Sequence, residues 1–373
     1  METKRWLRTA VSDSSGSPTL PLSIVSRWRG VLMGLAALWI FYFHDGVLLF
    51  AFQSGPFPRE VEWFVQRMGF MGVDIFFLLS GMGLYHSLSK KPSLGAFYMR
   101  RFTRVYPAFL LTGVAFALLY RWSFSDFLLN VTCINFWMRS VHSLLWFVPA
   151  ILFLYLISPL YYRVYARSSH PLTFTAAIIA GLFCLTLATQ HVLRADLFGF
   201  FNRIPIFLVG FWFGDACARN VVVQKKPLRL TLIVTALACT VLLWWMNATD
   251  TEFFQDSRCY FHLPLAVSLS LLLSDLLEHW LPAERPARKS RVLVPVLSFY
   301  GGISLELYCV QTVVKELVDG WTDFALIPSY YLRSLAAMLV YLALSTLLAV
   351  VLQRVCRLLV QVVSSAGSRL RKC

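Results

Sequence analysis

Apolar positions along this chain do not alternate, and they do not recur at helical spacing between polar ones. They gather into long, nearly unbroken runs separated by short polar stretches. Ten runs stand out, at 31–52, 68–88, 97–120, 144–162, 172–190, 204–218, 230–246, 260–277, 292–314 and 335–352. A helix that crosses a bilayer needs roughly 20 largely apolar residues. Strands of a membrane barrel are shorter and alternate polar with apolar. With no water in the bilayer to satisfy the backbone, helices are then the spanning structure that remains. The pattern predicts an all-α, polytopic membrane helix bundle of about ten transmembrane helices.

The segments outside the runs are brief. Residues 1–26 contain the Ser-rich stretch VSDSSGSP and read as a polar tail; residues 361–373 read as a basic one. Residues 27–360 form one membrane domain with no soluble domain attached. DFLLNVTCINFW (126–137) is amphiphilic and is expected to lie in the membrane interface. HWLPAERPARKSR (279–291) is a proline-broken basic loop.

Composition agrees with this pattern. The 373 residues are 58% hydrophobic and 14% charged, against about 25% charged in a soluble domain. The net charge of +15 would suit a nucleic-acid partner, but its placement argues otherwise. With the amino terminus inside, 25 of the 34 Lys and Arg fall in inside segments and nine outside. That asymmetry is the positive-inside pattern of an even number of spans, with both termini cytoplasmic. The charge therefore reports topology in the cytoplasmic membrane, and no nucleic-acid partner is expected. The eight cysteines include no C-x-x-C pair, so neither a disulfide scaffold nor a metal site is expected. A bridge between Cys133 and Cys259, both on the outer side, fits the topology.

Ionisable residues inside the runs are the candidates for chemistry, because a charge at a helix centre in lipid costs about 2.5–3.5 kcal/mol on insertion scales. They are His44, Asp74, Asp215 and Glu306. His44 lies 14 residues beyond Gly30, about 21 Å up the first helix, and Asp74 about 9 Å below the outer edge of the second. The two fall at one depth, and consecutive helices are usually neighbours. A carboxylate holding one imidazole nitrogen leaves the other ready to take a proton; an interhelical packing bond is the plainer reading. Arg100, Arg101 and Arg104 share one side of the third helix at its cytoplasmic end. They can grip phosphates bidentately or simply enforce topology. Arg203 begins a span on the outer side, where topology demands no cation. Asp45 beside His44, His142 before the fourth run, and the aromatic groups around Trp146 are candidate substrate contacts. Glu306 either pairs with a buried arginine or is protonated.

Six segments, in order, resemble the acyltransferase-3 family of bacterial integral membrane acyltransferases. They are MGLAALWIFYFHD (33–45), GVDIFFLLSGMGL (72–84), FYMRRFTRVYPAFLL (97–111), LWFVPAILFLYLISPLYY (145–162), RIPIFLVGFWFG (203–214) and GGISLELYCVQ (301–311). Two positions depart from the family. An arginine is common eleven residues before the histidine, where this chain has Met33, with Arg29 about one turn lower. A histidine commonly follows the ISLELY segment, where this chain has Gln311. The resemblance implies an O-acetyltransferase-type enzyme with no tightly bound cofactor. It would move an acyl group, often acetyl, from cytoplasmic acyl-coenzyme A to a hydroxyl of a cell-envelope glycan or lipid-linked sugar. It implies His44 as general base oriented by Asp74, with Arg29, Arg100, Arg101 and Arg104 at the donor phosphates. Asp45, His142, Trp146, Arg203, Glu306 and Gln311 are then expected at the substrate. The competing reading is a transporter or flippase of a lipid-linked sugar, with His44 and Asp74 as a proton relay. The pattern is silent on oligomeric state.

Overall fold

The computed structural model describes residues 8–9, 18–49, 56–138, 145–189, 195–253, 256–281, 290–319 and 329–370. It is almost wholly helical. The helices are α1 (Ile24–Arg27), α2 (Arg29–Asp45), α3 (Pro56–Arg67), α4 (Gly72–Ser89), α5 (Leu94–Leu119), α6 (Phe124–Val131), α7 (Ile134–Met138) and α8 (Phe147–Tyr165). They continue as α9 (Pro171–Thr189), α10 (Ala195–Phe201), α11 (Ile204–Ala218), α12 (Lys225–Ala248), α13 (Arg258–Trp280), α14 (Ser290–Gly302), α15 (Ser304–Asp319) and α16 (Tyr330–Leu370).

Each of the ten apolar runs forms a helix over most of its described residues, but the helices differ in length. Among the described residues, seven helices are long and apolar enough to cross a membrane, or up to eight if α14 and α15 count as one broken span. The first and sixth runs give α2 and α11, of 17 and 15 residues. The first stops short because Gly46 takes φ +74°, the left-handed conformation that ends helices. Large apolar side chains such as Leu237 (60% exposed) and Val241 (67%) on α12 face outward, as lipid contact requires. This is a helical, multi-pass membrane protein.

The chain divides into two compact units. The first comprises Met1–Ala36, Met71–Ser93 and Leu154–Gly302. Its centre is the packing of α4 on α11. A Cβ on Gly81 would lie 2.2 Å from the Phe207 carbonyl oxygen, and one on Gly210 would lie 2.0 Å from that of Leu78. Only glycines let these two backbones touch, the means by which helices associate where lipid removes the hydrophobic drive. The strands β1 (Arg8–Thr9), β2 (Thr19–Pro21) and β3 (Val221–Gln224) form an antiparallel sheet in the order β1-β3-β2. Leu20, Leu22, Ile24 and Val25 are buried beside it. The expected tail of 1–26 therefore supplies two strands of the sheet and the start of α1, with apolar residues following its Ser-rich stretch.

The second unit comprises Ala37–Phe70, Leu94–Phe153 and Ile303–Cys373. In it α15 packs on both α5 and α16, and α6 on α5. The Phe41 and Tyr341 rings stack at 4.3 Å. The amphiphilic 126–137 segment is two short helices, broken where Cys133 takes φ +64°. Ser123 caps the first by accepting from the Asp126 N–H. Cys133 and Cys259 are both free thiols, so the bridge that the topology allowed is not formed. The helix α16 continues to Leu370, through most of the expected basic tail.

Candidate active site

In the second unit, His44 occupies the last turn of α2 and is half-buried. Its Nδ1 lies 2.8 Å from the Gln311 side-chain amide. One turn further along α15, Lys315 Nζ donates to the carbonyls of His44 (2.7 Å) and Asp45 (2.6 Å). These are the carbonyls a helix leaves unsatisfied at its C-terminus, where a cation is also favoured by the helix dipole. Asp45 is buried there. Tyr308, Gln311 and Lys315 recur at spacings of three and four and so present one face of α15 to the end of α2.

Aromatic rings surround the histidine. The centroid separations run His44–Phe43 5.2 Å, Phe43–Phe70 5.6 Å, Phe70–Trp146 6.1 Å, Trp146–Phe147 6.4 Å, Phe147–Tyr308 5.7 Å and Tyr308–His44 6.4 Å. Six rings thus follow one another in a closed succession that includes both His44 and the expected Trp146. Trp146 follows Leu145, whose φ of +47° is uncommon for a side chain of that size. His142 lies outside the described residues.

The arginines on α5 divide by environment. Arg104 is half-exposed and pairs with the carboxylate of Glu306, which is buried in the first turn of α15. Glu306 thus has an arginine partner, but a half-exposed one in place of the expected buried one. Arg101 lies over the Phe97 ring, 5.7 Å from its centroid, and Arg100 is exposed. Glu306 and Gln311 are five residues apart, about 7.5 Å along α15. One helix therefore carries the partner of Arg104 and the partner of His44.

In the first unit, Asp74 has partners of its own. Its carboxylate lies 3.3 Å from Arg203 Nε and 3.6 Å from His262 Nδ1. Asp74 and Arg203 are each 1% exposed, and His262 is 6% exposed. Within its own unit Asp74 is held by these two partners. The reason is helix packing: Asp74 opens α4, Arg203 immediately precedes α11, and the two helices are in close contact. A guanidinium is also a stronger partner for a carboxylate than a neutral imidazole. Arg203 is fixed further by donating to the Gly199 carbonyl at 2.7 Å. The Arg29 guanidinium lies against Gly83, 3.2–3.4 Å from where a Cβ would stand. Asp215 accepts from Tyr85 (2.7 Å), Tyr165 (2.9 Å) and Arg219 (2.8 Å), which marks it as a structural joint. Among the described residues no group of His, Cys, Asp or Glu could hold a metal ion.

Sequence reasoning missed Lys315, Tyr308 and the burial of His262. Lys315 had a signal, since it is one of only nine basic residues that the topology expected from the sequence puts outside, and it lies four positions after Gln311. His262 had none.

A family model described as an acyltransferase domain matches residues 31–354. The chain belongs to the acyltransferase-3 family. The match spans all six resembling segments and takes in residues of both compact units. Membership makes this protein a membrane acyltransferase. No curated protein and no solved structure matches it. Within the matched region, His44 and Gln311, which the sequence resemblance singled out separately, touch each other.

Proposed function

We propose that this acyltransferase moves an acyl group, acetyl in the simplest case, from cytoplasmic acyl-coenzyme A to a hydroxyl of a cell-envelope glycan or lipid-linked sugar. Ten crossings with both termini cytoplasmic bring the donor to the basic side. The observation that carries the reading is His44. It ends the apolar run in the segment that resembles the family's first-helix signature, is half-buried, touches the Gln311 amide at Nδ1 and is flanked by the Phe43 and Tyr308 rings.

A sugar hydroxyl is a weak nucleophile until a base takes its proton, a step worth about 10²–10⁴-fold. In this reading His44 accepts that proton as the acceptor oxygen bonds to the thioester carbonyl carbon. The C–S bond then breaks, and the proton passes from His44 to the departing sulfur. The Lys315 ammonium beside the histidine offsets the negative charge that gathers on the carbonyl oxygen. Trp146 and its neighbouring rings give sugar faces a surface to stack on. Arg100 and Arg101 are the phosphate-binding arginines of α5, with Arg100 exposed near the start of that helix. The buried Asp74–Arg203 pair serves the architecture of its own unit.

The test uses purified protein with radiolabelled acetyl-coenzyme A and a cell-envelope glycan extract. His44→Ala is expected to keep donor binding and to lower transfer at least 100-fold. Arg100→Ala/Arg101→Ala is expected to weaken donor binding about ten-fold or more with little loss of kcat. Wild-type protein that neither binds nor consumes the thioester would remove the acyl-coenzyme A reading.

A further inference from the structure

We infer that the last turns of α16, beyond Cys356, form a wall of the donor site. There Leu359 and Val363 cover the apolar arm of acyl-coenzyme A, and Arg357 meets one of its phosphates. This rests on the donor being acyl-coenzyme A and on the carboxyl end of α16 being cytoplasmic, as proposed above.

Among the described residues of α16, Ser334, Tyr341, Ser345, Ala349 and Cys356 are the buried ones. Their spacings of seven, four, four and seven put them on one side of the helix, the side that packs on α5 and α15. Steps of three, four and seven from Cys356 continue that side to Leu359, Val360 and Val363, all apolar. There the cover ends. Leu359 is 44% exposed and Val363 71%.

Helix length is the cause. The helices α15 and α16 run antiparallel and meet where the Tyr341 hydroxyl donates to the Gln311 carbonyl. Ser304, the first residue of α15, is therefore level with about residue 348 of α16. Leu359 and Val363 stand about 17 and 23 Å past that level. At the other end, the rings of Tyr330 and Tyr331 lie 5.9 Å apart, the aromatic pair expected at a membrane edge. From Tyr330 to Cys356 the helix already rises about 39 Å, against a hydrocarbon core of roughly 30 Å. A tilt of about 20° does not absorb that excess. The apolar stripe thus emerges from the bilayer, on the side that faces the bundle.

Charge decides what covers it. Neither α16 nor α5 contains an acidic residue. Arg357 follows Cys356 directly, at the edge of the stripe; it is exposed, and its Nη2 donates to Gln353 Oε1 at 2.8 Å. At the same end of this unit Arg104 ties α5 to the start of α15 through Glu306, and Arg100 and Arg101 lie within one turn before it. Apolar surface edged by arginines suits a ligand with an apolar arm and an anionic end, which is the chemistry of acyl-coenzyme A. A lipid headgroup offers the same charge, but Leu359 and Val363 are turned toward the bundle and away from the surrounding bilayer. A second copy packed along the stripe would bring the arginines of two acid-free helices together, which like charge disfavours.

The experiment measures binding of acetyl-coenzyme A, and of S-acetylpantetheine, which keeps the arm and lacks the phosphates, to full-length protein in detergent. Transfer kinetics are followed alongside. Leu359→Ser/Val363→Ser is expected to raise the Kd of both ligands about five-fold or more. Arg357→Gln is expected to raise the Kd of acetyl-coenzyme A by a similar factor and to leave that of S-acetylpantetheine unchanged. In both variants kcat at saturating donor should match wild type. Leu358→Ser, one residue away on the opposite side of the helix, is expected to bind both ligands like wild type, which separates a wall from a helix that has merely loosened. Wild-type affinity for both ligands in the Leu359/Val363 variant overturns the inference, as does an Arg357→Gln protein that loses both ligands equally. A defect seen only as a change in oligomeric mass, or only in nanodiscs of anionic lipid, gives the stripe to a second copy or to the leaflet and overturns it too. The underlying donor reading fails differently, through wild-type protein that binds no acetyl-coenzyme A, and the inference falls with it.

Discussion

Asp74 and Arg203 show how much one residue's partner matters. Both are almost fully buried, and the carboxylate of one faces the guanidinium of the other. Removing one charge from a buried pair strands the other, at a cost of about 3–5 kcal/mol. Asp74→Asn is therefore expected to lower thermal stability in detergent by several degrees. The double variant Asp74→Leu/Arg203→Met should lose much less than the two single losses combined, because it strands nothing. The same pair marks a limit of reading residues from sequence. That Asp74 and His44 are special was legible from polarity inside apolar runs. Which partner each has was not, because that depends on which helices pack together. Adjacency in the chain pointed Asp74 toward α2, whereas glycine contacts bring α4 to α11.

At the scale of elements, the apolar runs located the long helices well, because bilayer thickness sets both their length and their composition. What the runs concealed were the interruptions. Gly46 ends α2 earlier than its apolar run ends, and α14 gives way to α15 just after Gly301 and Gly302. The helix α3 went unread because Arg59, Glu60, Glu62 and Gln66 make it look like a loop, although Glu62 and Gln66 are buried. They hold the chain that follows α2 by accepting from the Leu49 N–H and donating to the Val47 carbonyl. The α4–α11 contact yields a sharp contrast. Gly210→Val places a Cβ about where the Leu78 carbonyl oxygen already stands, 2.0 Å away, and is expected to abolish monodisperse protein in size-exclusion chromatography. Gly95→Ala meets nothing within 4 Å and is expected to elute like wild type, with helix propensity gaining up to about 1 kcal/mol.

For the whole molecule, the charge distribution carries the expectation of two cytoplasmic termini. A fluorescent reporter that matures only in the cytoplasm, fused to either end, should be bright, and a periplasm-dependent phosphatase in the same places should be inactive. An active phosphatase at one end alone would mean an odd number of crossings. Both short helices, α2 and α11, would then need re-examination as full spans, since they fall below the length that bilayer crossing ordinarily requires.

The small sheet adds a matter of timing. Strand β2 ends at Pro21 and its partner β3 begins at Val221, 200 residues later. At synthesis rates of about 5–20 residues per second, β2 waits roughly 10–40 s on the ribosome's output before its partner exists. During that interval Leu20, Leu22, Ile24 and Val25 have no finished surface to cover them, while several helices are already being inserted into the membrane. The sheet can thus close only after residues 221–224 have been made. Chains stalled before residue 221 should be the ones that proteases trim at their amino-terminal end.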